Sequence, residues 1–151
     1  MFQKIVIVVF SLFVGLVLSE SILRIIGFNF YILPWSEYHE SWGYIHVPKK
    51  TGIHNIEGNS VVSINPRDFR DDTWTLDKPK GTIRIAIVGD SMVAGFEVAK
   101  NERFTELIQT NLTGKNSKQN IEVMNFGVRG FSTVQEYLVI NEEVLKYGPD
   151  H

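Results

Sequence analysis

The sequence has no cysteine, which excludes disulfide bonds and thiolate metal sites. It also has no excess of positive charge: its 151 residues include 15 Lys and Arg against 17 Asp and Glu, a formal net charge of −2. Nucleic-acid binding therefore has no electrostatic support. The four histidines are too scattered to suggest a set of metal ligands: His39, His46, His54 and His151. What remains is the composition of an ordinary globular domain, 44% hydrophobic and 21% charged.

Charge is absent from Ile5–Leu18, IVIVVFSLFVGLVL. A membrane-spanning helix needs about 20 apolar residues. The run reaches that length only if it continues to Ile26, with Glu20 and Arg24 near the interface. Residues 1–27 are therefore interpreted as an uncleaved membrane anchor. A cleaved signal peptide and a buried helix of a soluble protein remain alternatives.

Lys4 precedes the apolar run, and positive charge on this short flank favours an N-terminus on the cytoplasmic side. We therefore expect a single-pass membrane protein whose remaining chain lies outside the cytoplasm. Membrane lipid would then be a partner of the N-terminal helix.

Residues 28–80 lack a helical period and are rich in aromatic residues and proline. Only Val61–Ile64 predicts a strand, which ends at Asn65-Pro66. We interpret 28–80 as an irregular lead-in that its aromatic residues pin in place, with a cap over a substrate as the alternative. Tyr31 and Trp35 could also lie at the membrane surface as interfacial anchors.

A regular alternation begins at Gly81 and defines a domain over 81–151. Ile83–Val88 is an apolar, β-branched run typical of a buried strand, and Ile121–Phe126 predicts a second strand. Between them, the apolar spacing predicts a helix within Phe104–Thr113. The inner face of this helix would carry Phe104, Leu107, Ile108 and Leu112.

A second helix is predicted after a turn at Gly127–Gly130. A capping box marks its start, either Ser132 with Gln135 or Thr133 with Glu136. Its inner side would carry Val134, Tyr137, Leu138, Asn141, Val144 and Leu145. The order strand, helix, strand, helix predicts an α/β fold, the beginning of a doubly wound domain with a parallel sheet.

Gly89-Asp90-Ser91 directly follows the first predicted strand, at the end of the sheet where open α/β proteins bind ligands. Gly89 allows a sharp turn, and backbone N–H groups of such a loop can face an oxyanion. The sequence lacks the Gly-Lys-Ser/Thr ending of a phosphate-binding loop and the Gly-x-Ser-x-Gly elbow of other serine hydrolases. A turn without chemistry stays open, because all three residue types are common in turns.

Several blocks of the sequence, taken in order, resemble the SGNH (GDSL-type) serine hydrolase family. They cover about residues 60–150 and comprise Ile85–Ser91 with Gly95, Val123–Thr133 and Tyr147–Asp150. Upstream, Ile64–Arg70 is similar to a lead-in of membrane-anchored members, in which glycine usually occupies the position of Asp68. The resemblance implies a three-layer, flavodoxin-like fold. This chain would hold its first two β-α units behind an N-terminal transmembrane helix.

The resemblance also implies roles for individual positions. Ser91 matches the nucleophile of the family, and its N–H would be one oxyanion donor. Gly130 would supply another donor, with Gly127 as the less favoured candidate. Asp90 would shape the turn rather than act as a base. The supporting turn residues are Gly89, Asp90, Gly95, Asn125 and Gly127. Serine acyl transfer requires no metal and no organic cofactor.

The sequence departs from the family pattern after the second block. It has no Gly-x-Asn-Asp block and no Asp-x-x-His pair, which in the family supply a third oxyanion donor and the base. Since an unassisted serine is a weak nucleophile, we expect a fragment that is poorly stable and nearly inactive. One edge of Ile83–Val88 would be left bare. His151 is not expected to be catalytic, and the other histidines are interpreted as surface or packing residues.

Three functions are considered for the intact protein. The favoured one is an extracytoplasmic esterase or deacetylase in which Ser91 attacks an ester or an acylated glycan. An acyltransferase of the same chemistry, acting on a cell-envelope polysaccharide, is the first alternative. A non-catalytic envelope protein that keeps the fold is the second. No nucleic-acid partner is expected.

Overall fold

A computed structural model describes residues 2–25, 35–115 and 119–151. It is a mixed α/β structure with small sheets and an N-terminal apolar helix. The chain divides into two units, Met1–Pro34 and Trp35–His151. The described part of the lead-in therefore belongs to the same unit as the α/β domain.

The first unit contains helix α1, Phe2–Ile25. At 1.5 Å per residue its 24 residues extend about 36 Å, more than the ~30 Å hydrocarbon core of a bilayer. Arg24 Nε lies 2.7 Å from Glu20 Oε1, so the two charges at the end of the helix form an ion pair. Helix α1 is thus long and apolar enough to span a membrane. Ile26 and Gly27, the end of the predicted anchor, lie outside the described residues.

Two antiparallel β-hairpins occupy part of the segment that the sequence predicts to be irregular. Their strands are β1 (Ser36–His39) paired with β2 (Gly43–His46), and β3 (Thr51–His54) paired with β4 (Ser60–Ser63). The prediction of an irregular lead-in over 28–80 is therefore wrong for these residues. Each strand has only four residues, which is too short for a two-residue period to be recognised. The strand predicted at Val61–Ile64 is confirmed as β4, shifted one residue towards the N-terminus, so that Ile64 lies outside it.

Two of the three tryptophans of the lead-in, Trp35 and Trp42, lie in the core of the second unit. Trp35 packs edge-on against Phe96 at 5.6 Å between ring centroids, and Trp42 belongs to the main buried cluster. Trp35 is therefore buried against protein, and its alternative interpretation as an interfacial anchor is wrong. Tyr31 lies outside the described residues.

A parallel strand pair forms the centre of the second unit. Strand β5 (Thr82–Gly89) runs parallel to β6 (Asn120–Gly127), and the register pairs Gly89 with Gly127 at the carboxyl ends. Both predicted strands are confirmed, each extended by one residue at either end. They are joined through the four-residue helix α2 (Ser91–Ala94), a short 3₁₀ turn and helix α3 (Phe104–Lys115).

Helix α3 contacts β6 with a partly polar face. Gln109 accepts from the Val123 N–H and donates to the Ile121 carbonyl, both at 2.6 Å, so its amide covers part of the backbone edge of β6. The predicted inner face is correct for Ile108 and Leu112, which are partly buried. It is wrong for Phe104 and Leu107, which are 41% and 49% exposed. The apolar pattern predicted the wrong face of α3 because the edge of β6 is contacted by the polar side chain of Gln109.

Helix α4 (Thr133–Glu142) starts after Ser132, whose N–H donates to Gln135 Oε1 at 3.0 Å. The predicted inner side is correct for Leu138 and Val144. It is wrong for Val134, Tyr137, Asn141 and Leu145, which are exposed. The inner side is set instead by bonds to Trp42: Gln135 donates to its carbonyl at 2.8 Å, and Glu142 accepts from its indole N–H at 2.9 Å. A 3₁₀ turn then leads to Gly148.

The second edge of β5 is partly occupied by the last residues of the sequence. The Ala86 N–H donates to the His151 carbonyl at 2.9 Å, and the Arg84 carbonyl accepts from Asp150 at 2.8 Å. On the other edge, the Gly89 carbonyl accepts from Val128, which follows β6. The backbone N–H and C=O groups of successive strand residues point to opposite edges. Strand β5 therefore lies between β6 on one edge and Asp150-His151 on the other. The edge of β5 that was predicted to be bare is therefore hydrogen-bonded at Arg84 and Ala86.

Candidate active site

The candidate nucleophile lies at the carboxyl end of β5. Ser91 is the first residue of α2 and is partly exposed. Asp90 caps this helix, because its Oδ1 accepts from the Met92 N–H at 2.9 Å. A carboxylate held in this way shapes the turn, which agrees with the interpretation of Asp90 as a turn residue. No side chain of the described residues forms a hydrogen bond with the Ser91 hydroxyl in this structure.

The short helix α2 rests directly on the backbone of both strand ends. A β-carbon at Gly127 would lie 2.2 Å from Ala94 N and 2.6 Å from Val93 C, and one at Gly89 would lie 2.4 Å from Val93 Cγ2. Glycine is therefore required at Gly127 by a backbone contact that cannot move aside. This contact supports the predicted role of Gly127 and Gly89 in the turn.

Asn125 ties the turn to β6. It is almost completely buried, and its Nδ2 donates to the Val93 carbonyl at 2.7 Å and to Thr105 Oγ1 at 3.2 Å. Its Oδ1 accepts from the Gly127 N–H at 2.9 Å. One side chain therefore joins the end of α2 to the end of β6.

Gly95 ends α2 in the left-handed conformation, with φ +60, and its N–H donates to the Ser91 carbonyl at 2.8 Å. The carbonyl of Gly95 accepts from the buried guanidinium of Arg70. Arg70 was missed as a site residue, although it belongs to the Ile64–Arg70 block. Within that block Asp68 has φ +73, a conformation that favours glycine.

Asp71 connects the lead-in to β6. Its Oδ2 accepts from the Asn125 N–H at 2.8 Å and from the Trp74 indole N–H at 2.6 Å. Burial raises the pKa of Asp71 to about 6, against these donors and the nearby Arg103, which favour the carboxylate. No sequence pattern indicated that this carboxylate accepts a backbone bond from a distant strand.

The loop after β6 carries the second predicted oxyanion donor. Gly130 has φ +81, and a β-carbon there would lie 2.7 Å from Tyr44 Oη of β2. The positive φ favours glycine at this position, whereas the Tyr44 hydroxyl is the end of a side chain that can shift. The Val128 N–H donates to the Gly89 carbonyl at 2.9 Å, so the loop starts beside the turn that carries Ser91.

The histidines of the hairpins are packing residues, in agreement with their interpretation from the sequence. His46 and His54 are buried around the ring of Phe96, with centroids 4.9 and 5.8 Å away. Burial lowers the pKa of His46 to about 4 and also lowers that of His54. His39 stacks on Trp42 at 3.9 Å. These contacts give each of the three a structural role.

The described residues contain no group of three or more His, Asp or Glu side chains that could hold a metal ion. A cavity of about 530 Å³ lies between β4, Arg70–Asp72 and Lys100–Arg103. Ser91 is not among its lining residues. The candidate site is therefore defined by the strand ends, not by this cavity.

No protein-family model matches the chain, and no curated protein matches it. The assignment of Ser91 thus depends on the motif blocks and on the geometry of the two strand ends.

Proposed function

We propose that this chain carries the nucleophile of a membrane-attached serine ester hydrolase of the SGNH type, with Ser91 as the attacking residue. The observation that carries the proposal is the position of Ser91. It starts a short helix at the carboxyl end of a parallel strand, and buried groups hold that helix against the end of the neighbouring strand. Ligands of open α/β sheets bind at this end.

The order of the backbone pairing supports the flavodoxin-like part of the proposal. The neighbours of β5 are β6 on one edge and Asp150-His151 on the other. In a doubly wound fold of order 2-1-3-4-5, the first strand has the second and third strands as neighbours. Backbone bonds on both edges of β5 support its proposed place as the first strand of such a fold, although Asp150-His151 is not itself a strand in the described residues.

In the proposed reaction, Ser91 Oγ attacks the carbonyl carbon of an ester and passes its proton to a base. The oxyanion accepts hydrogen bonds from the N–H groups of Ser91 and Gly130. Collapse of the intermediate releases the alcohol and leaves an acyl-Ser91, which water then hydrolyses. None of these steps requires a metal or an organic cofactor.

The base of this reaction is not supplied by the described residues, and the sequence has no Asp-x-x-His pair. Losing the histidine of a serine protease costs about 10⁶ in turnover. We therefore expect little ester turnover from these 151 residues alone. Covalent modification of Ser91 is a more sensitive measure than turnover.

A membrane location fits α1, which is long and apolar enough to span a bilayer. Because Lys4 on the short flank favours a cytoplasmic N-terminus, the proposal has Trp35–His151 outside the cytoplasm. Substrates would then be esters or acylated glycans of the cell envelope.

Selective acylation tests the proposal. The chain is incubated with an activated ester such as p-nitrophenyl acetate and with imidazole as an external base, and peptides are analysed by mass spectrometry for acetylated serine. We expect acetylation of Ser91 above that of the exposed Ser63, and loss of this modification in Ser91→Ala but not in the matched Ser63→Ala variant. Equal acetylation of both serines would contradict the proposal. Adding a sugar acceptor then distinguishes hydrolysis from acyl transfer.

A further inference from the structure

The carbonyl groups at the end of α2 need partners from outside the helix. Within the turn, the Ala94 N–H donates to Asp90 at 3.0 Å and the Gly95 N–H donates to Ser91 at 2.8 Å. A helix of four residues cannot bond its own last carbonyls. The Val93 carbonyl accepts from Asn125, as described above. The Ala94 carbonyl accepts from Arg70, and the Gly95 carbonyl accepts from Arg70 and, at 3.4 Å, from the Val98 N–H.

Arg70 is 2% exposed and uses both terminal nitrogens. Its Nη1 donates to Ala94 at 3.4 Å and to Gly95, while Nη2 donates to Val98 at 2.8 Å and to Val61 at 3.3 Å. One guanidinium thus connects β4 to both ends of the loop that leaves α2. A lysine could not reproduce this geometry, because its three N–H donors lie on one nitrogen, whereas the guanidinium holds donors on separate nitrogens in a planar fork.

The buried charge of Arg70 is costly. Burial lowers its pKa to about 10, and the nearby Arg103 adds to this effect. The guanidinium carbon of Arg70 lies over the ring of Phe96, 5.7 Å from its centroid. A buried cation without a carboxylate partner at bonding distance is expensive. Its bonds to backbone carbonyls compensate for this cost.

Arg70 is itself fixed on both sides. Its carbonyl accepts from Arg103 Nη1, and the next residue, Asp71, accepts from the Asn125 N–H at 2.8 Å. The dipeptide Arg70-Asp71 therefore binds the end of α2 with one residue and β6 with the other. The dipeptide thus contacts both the Ser91 turn and strand β6.

We propose that Arg70 is a positioning residue for Ser91: by bonding the carbonyls of Ala94 and Gly95, it keeps the turn closed and the side chain at position 91 in one place. The inference rests on the proposed role of Ser91 as the nucleophile. Its structural part can be measured without any enzymatic activity.

The absence of cysteine makes a direct experiment possible. Ser91→Cys introduces the only thiol of the chain, and iodoacetamide alkylation over a range of pH gives the thiol pKa and its accessibility. Amide hydrogen exchange of Ala94 and Gly95 reports opening of the turn. Both are measured for the full chain in detergent, with Arg70 intact, with Arg70→Met and with the milder Arg70→Lys.

Arg84 provides the matched control. It is also completely buried and also donates to backbone carbonyls, at Tyr147 (2.7 Å) and Leu76 (3.1 Å). It lies near the amino end of β5 and makes no bond to α2. Arg84→Lys should therefore lower global stability without opening the Ser91 turn.

With Arg70→Lys we expect exchange at Ala94 and Gly95 to accelerate by about tenfold or more beyond the change in global stability. Alkylation at position 91 should also accelerate, and the thiol pKa should move towards about 8.5, the value of a free cysteine. If Arg70→Met does not fold, Arg70→Lys decides the outcome. Unchanged exchange in Arg70→Lys, or the same acceleration in Arg84→Lys, would overturn the inference.

The two proposals fail in different ways. If the thiol in Ser91→Cys with Arg70 intact has an unshifted pKa, the oxyanion donors of the proposed function are in error. If that pKa is low but Arg70→Lys leaves both exchange and alkylation unchanged, only the positioning role of Arg70 is wrong.

Discussion

At the scale of single residues, Gly127 has the most demanding contact of the candidate site. Any β-carbon at this position would overlap the backbone of α2, at 2.2 Å from Ala94 N. We predict that Gly127→Ala destabilises the chain by about 3 kcal/mol or more, because the overlap cannot be relieved by turning a side chain. Denaturant unfolding followed by tryptophan fluorescence would measure this loss.

Gly114 is the matched control for this substitution. It lies in α3, and a β-carbon there would have no neighbour within 4 Å. Gly114→Ala should stabilise the chain by up to about 1 kcal/mol, because alanine favours the helix. A similar small gain for Gly127→Ala would show that α2 does not pack on the end of β6.

The buried side chain of His46 makes the free energy of unfolding depend on pH. Burial lowers its pKa from 6.5 to about 4 in the folded chain. As the pH falls from about 6.5 towards 4, the unfolded chain binds a proton that the folded chain does not, so this contribution to stability is lost in that window. The loss is about 3 kcal/mol over the whole window.

Replacing His46 tests this pH dependence. His46→Gln removes the titrating group and keeps a hydrogen-bond acceptor, so we expect its stability to fall less steeply between pH 6.5 and 4 than that of the parent chain. Ile45→Val is the control, because it loosens the same buried hairpin without removing a titrating group. Parallel pH profiles for the parent chain and His46→Gln would contradict the prediction.

At the scale of elements, α3 protects the outer edge of β6 through Gln109. Its amide bonds both Ile121 and Val123 at 2.6 Å. We predict that Gln109→Ala lowers the free energy of unfolding by about 1–3 kcal/mol, because two strand groups lose their partner. The exposed Thr110→Ala, one position along the same helix, should cause little change. An equally small effect of both substitutions in denaturant unfolding would argue against this role of α3.

Helix periodicity was informative about the existence of elements and less so about their inner faces. Strands β5 and β6 and helices α3 and α4 follow from apolar runs and caps in the sequence, whereas the four-residue helix α2 was not predicted. The inner faces of α3 and α4 do not, because polar residues there bond to backbone and indole groups of distant segments. Gln109 bonds the backbone of β6 and Gln135 bonds the carbonyl of Trp42, so polar residues lie on the faces where apolar residues were predicted.

At the scale of the whole molecule, α1 is the one helix of the described residues that is long and apolar enough to span a membrane. Gly15 lies in the middle of its apolar run, so Gly15→Arg would place a charge near the centre of the bilayer at a cost of about 2.5–3.5 kcal/mol. We predict that this substitution reduces the fraction of chain that remains in membranes after alkaline extraction. Lys4→Arg, which keeps the charge at the helix end, should leave that fraction unchanged. Equal retention of both variants would mean that α1 does not span the bilayer.

The sequence by itself determined the apolar length of α1, the two strands of the parallel pair and the turn residues Gly89, Asp90 and Gly95 next to Ser91, because each depends on neighbours within a few positions. The hairpins of the lead-in, the inner faces of α3 and α4 and the roles of Arg70 and Asp71 were decided only by the tertiary structure. Their partners are distant in the sequence: Asp71 bonds the backbone of Asn125, and Arg70 bonds that of Gly95. A local pattern cannot specify such bonds, since buried polar groups take whichever partners the folded chain brings to them.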